Sequence, residues 1–155
     1  MRSPAVIAVT IASLGFCPTA PADPGPESIC AAVYESRPQI TELTERMRDG
    51  NALMAAAQQR GATAFGEAIR AARDRIQQLS DLMASTASQT ADAGLRAKLR
   101  RYSAAEQARA DLLNARLSQD LSQPPSLEWD ERKAQIFAEA NTASRAIDEA
   151  CPAQS

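Results

Sequence analysis

A long stripe of apolar and small residues between Ile40 and Met83 constrains the fold of this chain more than any other feature. Its members recur at steps of three and four, which is the period of an α-helix that buries one face. Two paths satisfy the stripe: one unbroken helix over residues 39–85, or two helices separated by a turn near Gly50 or Gly61. The stripe consists of Ile40, Leu43, Met47, Met54, Ala57, Gly61, Phe65, Ile69, Ala72, Ile76, Leu79 and Met83.

The chain outside this stripe also favours helices, so the sequence predicts an all-α fold. Alanine is abundant, the accompanying Gln, Arg, Glu, Leu and Met are good helix formers, and no sustained polar–apolar alternation indicates a strand. Near the start, we expect a short helix from Pro26 or Glu27 through Ser36. Pro38 then fits the first turn of the following helix, because that turn does not need its missing N–H.

Two further helices are expected after the long stripe. Small polar residues over 85–94 predict a loop, and a third helix follows over about residues 92–121, where a Pro-Pro pair ends it. Ser126 then fits the N-cap of a last helix, which Pro152 stops. The residues that we expect to be buried in these two helices are Leu95, Leu99, Tyr102, Ala105, Leu112, Leu113, Leu117, Leu121, Trp129, Ile136, Phe137, Ala140, Ala143 and Ile147.

The N-terminus has the pattern of an export signal. Arg2 supplies a positive charge, and the uncharged, mostly apolar run over residues 5–16 has the length of a signal-peptide core. This run is too short for a transmembrane helix, which needs about 20 apolar residues. Ala20-Pro21-Ala22 fits the A-x-A cleavage pattern, which predicts a signal peptide of residues 1–22 and one domain of residues 23–155 in a secreted or periplasmic protein.

A lipoprotein signal that ends at Cys17 is the alternative reading of the same segment. Leu14 stands at the position such a signal requires, but the bulky Phe16 directly before the cysteine disfavours it. We therefore expect Cys17 to leave with the signal peptide.

The exported chain would then contain two cysteines, Cys30 and Cys151. An even number of cysteines outside the cytoplasm predicts a disulfide. The bond would close a loop of about 120 residues, and chain-entropy models give it about 5 kcal/mol of stabilisation. The alternatives are two free thiols or a bond between two chains.

The predicted disulfide decides between the two paths of the long stripe. An unbroken helix of about 47 residues would be about 70 Å long, and two shorter helices would leave Cys151 far from Cys30. A disulfide needs Cα atoms within about 7 Å of each other. We therefore favour a turn near Gly61 and an up-down bundle of four helices closed by the disulfide. A three-helix bundle with one long helix is the alternative.

The composition excludes several chemistries. The absence of histidine removes His-based acid–base catalysis, Ser-His-Asp and Cys-His nucleophiles and nearly all zinc sites. No Gly-rich phosphate motif occurs, and nearly every Asp and Glu falls on a helix face that the pattern predicts to be solvated. The sequence therefore predicts a protein without enzymatic activity, cofactor or metal. The mild net charge of −2 requires no polyanionic or polycationic partner.

One basic patch, formed by Arg96, Lys98, Arg100 and Arg101 in the segment LRAKLRRY, is a candidate site for an anionic partner. Such a cluster could contact a lipid headgroup, a polysaccharide or an acidic protein. Nucleic acid is not expected, because no aromatic residues are interleaved with the charges. The alternative is an ordinary solvated helix face.

Three methionines and the tryptophan are further candidates for a binding role. Met47, Met54 and Met83 at helical spacing could offer an adaptable apolar surface, although core filling explains them as well. Trp129, near the start of the last helix, is either a binding anchor or a partly buried residue that fixes the first turn of that helix.

Three function classes are compatible with these features. The first is an exported helical bundle that presents a face to a protein or another component of the cell envelope. The second is a carrier that holds a small apolar ligand, either a lipid or a haem-like molecule, between its helices. The third is a coiled-coil protein that bridges parts of the envelope, which one long helix would favour.

The leader segment ADPG after a short signal, together with two cysteines that bracket a helical domain, resembles exported haemophore-like proteins of actinobacteria. The resemblance covers only the leader and the cysteine arrangement. It implies a carrier of haem. Because the chain has no histidine, Tyr34, Tyr102 or a methionine would have to bind the iron.

Overall fold

The computed structural model describes residues 25–153, which form four α-helices. Turns or short loops reverse the chain between successive helices, so the helices run up, down, up and down as the sequence analysis favoured. The expected signal peptide, residues 1–22, and with it Cys17, lies outside the described residues. In chain order, the helices are α1 (Pro26–Gln59), α2 (Ala62–Gln89), α3 (Ala93–Leu117) and α4 (Leu127–Ala150).

The turn between α1 and α2 lies at Arg60 and Gly61. Gly61 has a φ of 106°, a conformation that residues with a side chain rarely adopt, and the sequence analysis favoured a reversal at this position. Gly50, the other candidate, lies buried inside α1. The alternative of one helix over residues 39–85 is therefore excluded, and with it the three-helix bundle.

The expected helix boundary at Pro38 is wrong, because α1 continues through this proline. An interior proline removes one backbone hydrogen bond and costs about 3 kcal/mol. Contacts with other parts of the bundle hold the preceding residues. Ser36 Oγ lies 2.8 Å from Thr86 Oγ1 on α2, and Arg37 Nη2 donates to the Cys151 carbonyl at 2.5 Å. Pro38 itself is exposed, so its ring faces solvent.

The predicted loop over residues 85–94 is too long, since α2 continues to Gln89. Thr86 and Thr90 are buried, and their hydroxyls donate to the carbonyls of Leu82 and Thr86 at 2.9 and 2.8 Å. Burial of Thr86 and Ala87 holds this segment in α2, and the hydrogen bonds satisfy the hydroxyls that burial removes from water.

The last two helices begin at side-chain caps. Asp92 Oδ1 accepts the Leu95 N–H at 2.6 Å at the start of α3, and Ser126 Oγ accepts the Trp129 N–H at 3.2 Å at the start of α4. Ser126 thus has the role that the sequence predicted. α3 ends at Leu117, earlier than expected.

The main apolar core surrounds the disulfide. Cys30 and Cys151 are bonded, with their Cα atoms 5.6 Å apart, so the predicted disulfide is confirmed and closes the bundle. The buried residues packed around it are Val33, Leu79, Met83, Ala87, Leu95, Leu99, Tyr102, Ala143 and Ile147.

The seam between α1 and α4 is tied at this end of the bundle. Successive helices pack along one another, whereas α1 and α4 have little direct packing. Their links are the disulfide at Cys30 and the hydrogen bond from Arg37 to the Cys151 carbonyl just after α4. The bundle is therefore closed at the disulfide end, and the α1–α4 seam is open at the other end.

Candidate functional site

A cavity of about 440 Å³ lies at the end of the bundle opposite the disulfide, and all four helices contribute to its wall. Its volume falls within the range of about 300–1,000 Å³ that is typical of small-molecule sites. We call it the end cavity.

Most of the end cavity is lined by apolar side chains. Ile69, Ile76 and Leu112 are buried and form its floor. α1 and α4 separate at this end of the bundle. The apolar helix faces that pack together near the disulfide therefore face the cavity here. The partly buried walls are formed by Met47, Met54, Phe65, Trp129 and Phe137.

A buried ion pair on α3 supports one wall of the end cavity. Arg109 Nη1 donates to both carboxylate oxygens of Glu106 at 2.8 and 2.9 Å, and the Arg109 guanidinium carbon lies 4.3 Å from the Phe137 ring centroid. Glu106 is 1% exposed. Burial raises the pKa of Glu106, and the charge of Arg109 opposes that increase. The ion pair thereby fixes Phe137 of α4 against α3.

The Glu106 carboxylate also acts on Tyr102, one turn earlier on α3. Burial, followed by the negative charge of Glu106, raises the pKa of Tyr102 to about 12, while Ser144 and Arg109 act in the opposite direction. The phenol of Tyr102 is therefore protonated throughout the neutral range.

Arg116 is a buried cation that holds the loop between α3 and α4. Its guanidinium donates to the carbonyls of Asp120 and Gln123 at 3.2 and 2.5 Å and to the side-chain oxygen of Gln119 at 3.0 Å. Within residues 25–153, no carboxylate lies within 4.0 Å of this guanidinium. Arg116 therefore fixes the loop and adds a positive charge to the cavity lining.

Two further cations, Arg75 on α2 and Lys133 on α4, line the end cavity. Among the described residues, neither forms a salt bridge. Arg75 is partly buried, whereas Lys133 is exposed and its ammonium lies 5.4 Å from the Trp129 ring centroid. Among the described residues that line the cavity, Asp130 is the acidic one.

Two buried N–H groups beside the end cavity lack a hydrogen-bond partner in the described part of the chain, the Nε1 of Trp129 and the Nε of Arg109. Leaving a buried donor unpaired costs about 1–3 kcal/mol, so such groups are uncommon in folded proteins. Trp129 is also the chain's only tryptophan. Its fluorescence is therefore a built-in reporter of the cavity.

The basic patch predicted from the sequence lies away from the end cavity, and its members have different surroundings. Arg96 donates to backbone carbonyls at the end of α2 at 2.9 to 3.0 Å. Arg101 lies 3.8 Å from Glu139 on α4, and Lys98 and Arg100 are exposed. The role of this patch toward an anionic partner stays a prediction.

Tyr34 and Tyr102, two of the candidate haem ligands, do not line the end cavity. Tyr102 instead lines a second cavity of about 230 Å³, which is below the usual size of sites for organic ligands. Met47 and Met54 line the end cavity, whereas Met83 lies in the core near the disulfide. A haem bound through Tyr34 or Tyr102 therefore does not fit this cavity.

Within residues 25–153, no three side chains of His, Cys, Asp or Glu are placed to hold a metal ion. None of the helices in this part of the chain combines the length and apolar character that a membrane crossing requires. Comparison with known proteins gives no match to a family model, a curated protein or a solved structure.

The end cavity and the ion pair beside it were not predicted from the sequence. Glu106 is an exception to the expectation that acidic residues face solvent, and a signal was present, because Glu106 follows Tyr102 by four residues on the buried face of α3. A carboxylate in register with an apolar stripe predicts a buried cationic partner, which Arg109 supplies. Arg75 gives no comparable signal, because its sequence position resembles that of the surface arginines around it.

Proposed function

We propose that this chain is an exported, non-enzymatic carrier that binds a small apolar molecule in the end cavity. One observation carries the proposal: the cavity of about 440 Å³ has largely apolar walls drawn from all four helices. Apolar ligand surface buried there would contribute about 25 cal/mol per Å². The predicted signal peptide and the disulfide between Cys30 and Cys151 support export.

The open α1–α4 seam gives a ligand a route into the end cavity. Little direct packing joins these two helices, so a ligand can pass between them without disrupting the core around the disulfide. The disulfide keeps the opposite end of the same seam closed. This arrangement combines a stable fold with an accessible interior.

The carrier has better support than the other two function classes. In the described part of the chain, the large exposed apolar residues are Leu53 and Leu127, and a protein-docking surface usually contains a larger contiguous apolar patch. One long helix would have favoured the coiled-coil bridge, and the turn at Gly61 removes that support.

A titration with a neutral apolar dye, N-phenyl-1-naphthylamine, tests the proposal. We expect dye emission to rise as the dye enters the end cavity, with energy transfer from Trp129. The variant Ala55→Phe should weaken this binding, because Ala55 lines the cavity and is exposed enough to accept a larger side chain without disturbing the core.

Ala56→Phe is the matched control, since Ala56 is also an exposed alanine of α1 but is not part of the cavity lining. Both substitutions have the same helix propensity. Equal dye binding by the two variants, or no binding by the unmodified chain, would contradict the carrier proposal.

A further inference from the structure

The charges of the end cavity point to the chemical class of its ligand, and this inference rests on the proposed function. Among the described residues that line the cavity, four are cationic and one is acidic. The cations are Arg75, Arg109, Arg116 and Lys133, and the acid is Asp130. Glu106 compensates Arg109 directly. An excess of positive charge therefore remains beside an apolar floor.

Arg75 is the cation best placed to bind a ligand group. It is partly buried, and among the described residues it has no salt bridge. A guanidinium removed from bulk water is favoured by a carboxylate partner, to which it donates two parallel hydrogen bonds. The chain supplies such a partner to Arg109 and supplies backbone carbonyls to Arg116.

The Arg75 guanidinium lies directly against the α1 backbone at Gly50. A Cβ atom at residue 50 would lie 2.9 Å from Nη1 of Arg75, so a side chain there would require the guanidinium to shift. Gly50 is buried in the middle of a helix, where alanine is normally preferred. The close approach of Arg75 is the contact that a side chain at this position would disturb.

Lys133 has a lesser role. It is exposed, and its ammonium is already placed near the Trp129 ring. Such a group remains hydrated and adds attraction at the mouth of the cavity without fixing the orientation of a ligand.

We propose that the ligand of the end cavity is a single-chain amphiphile with a carboxylate headgroup. Its hydrocarbon chain lies on the floor formed by Ile69, Ile76 and Leu112, and its carboxylate pairs with the guanidinium of Arg75. Charge complementarity selects this occupant over a neutral or cationic amphiphile of the same length.

Three amphiphiles with twelve-carbon chains test the proposal: dodecanoate, whose twelfth carbon is the carboxylate carbon, dodecanol and dodecyltrimethylammonium, each used below its micelle concentration or solubility limit. Binding is followed through Trp129 fluorescence and through displacement of N-phenyl-1-naphthylamine. We expect dodecanoate to bind about tenfold more tightly than dodecanol, the factor expected for a hydrogen-bonded charged group, and the trimethylammonium probe to bind most weakly.

Arg75→Gln should reduce the affinity for dodecanoate to that for dodecanol and leave dodecanol binding unchanged. The matched control is Arg70→Gln, which removes an exposed arginine of the same helix that does not line the cavity. Lys133→Gln should weaken dodecanoate binding less than Arg75→Gln, and mainly at low salt.

The outcomes separate this inference from the proposed function. Equal binding of dodecanoate and dodecanol, or equal losses in Arg75→Gln and Arg70→Gln, would overturn the carboxylate inference and leave the carrier intact. Failure of all three probes and of the dye would overturn both. A dimer that forms with rising concentration and excludes the dye would identify a second copy of the chain as the occupant instead.

Discussion

The two ends of the bundle are built from the same amphipathic helices and differ in what the apolar stripes meet. At the disulfide end, the stripes of all four helices pack around Cys30 and Cys151 and leave a smaller cavity of about 230 Å³, lined in part by Val33 and Tyr102. At the other end, the same stripes face a cavity, and charged side chains stand among them. A helical stripe therefore predicts which face of a helix points inward. Whether that face meets a neighbour depends on how the helices are tied together.

Removal of the disulfide between Cys30 and Cys151 should change the free energy of unfolding most. The double variant Cys30→Ser, Cys151→Ser should destabilise the chain by about 5 kcal/mol, because the disulfide constrains a loop of 121 residues in the unfolded state. Urea unfolding followed by circular dichroism measures the change. Reduction of the unmodified chain should shift the midpoint by a similar amount, whereas an unchanged midpoint would show that helix packing alone closes this end.

The second largest effect on stability should come from the buried ion pair of Glu106 and Arg109 in α3. Glu106→Ala should destabilise the chain by about 3 kcal/mol, since it leaves the largely buried Arg109 without its carboxylate. Glu139→Ala is the matched control, because Glu139 and Arg101 are both more than half exposed and 3.8 Å apart, and exposed pairs contribute less than about 1 kcal/mol. Similar losses in the two variants would mean that the buried pair has no special role.

A pH titration gives a third, smaller effect at the disulfide end. The pKa of Tyr102 is raised from 10.0 to about 12, so the unfolded chain loses this proton at lower pH than the folded chain does. The contribution to stability is complete below pH 10 and is lost as the pH rises through 12, about 2–3 kcal/mol in all. In Tyr102→Phe, the urea midpoint should fall less steeply over this interval, and an unchanged slope would contradict the assignment.

The sequence predicted the helices and the disulfide because both depend on local or countable features. Period, caps such as Ser126, and an even number of cysteines are visible in the chain itself. The continuous helix through Pro38 was not predictable, because it is held by contacts between distant parts of the chain, such as Ser36 with Thr86 and Arg37 with Cys151. The end cavity was not predictable either, since it results from the separation of α1 and α4, a property of the assembled bundle.

The substitution Gly50→Ala should have the smallest effect on stability, and it tests whether dodecanoate binding in the end cavity depends on the position of Arg75. Gly50→Ala should stabilise α1 by less than about 1 kcal/mol, because alanine is the better helix former, while the added methyl group displaces the Arg75 guanidinium. Thermal unfolding should therefore shift upward as dodecanoate binding weakens. Gly61→Ala, at φ 106°, should instead destabilise the turn by about 2 kcal/mol and leave Arg75 in place. Tighter dodecanoate binding in Gly50→Ala would contradict the role of Arg75, because the glycine at the cavity is then not required for binding.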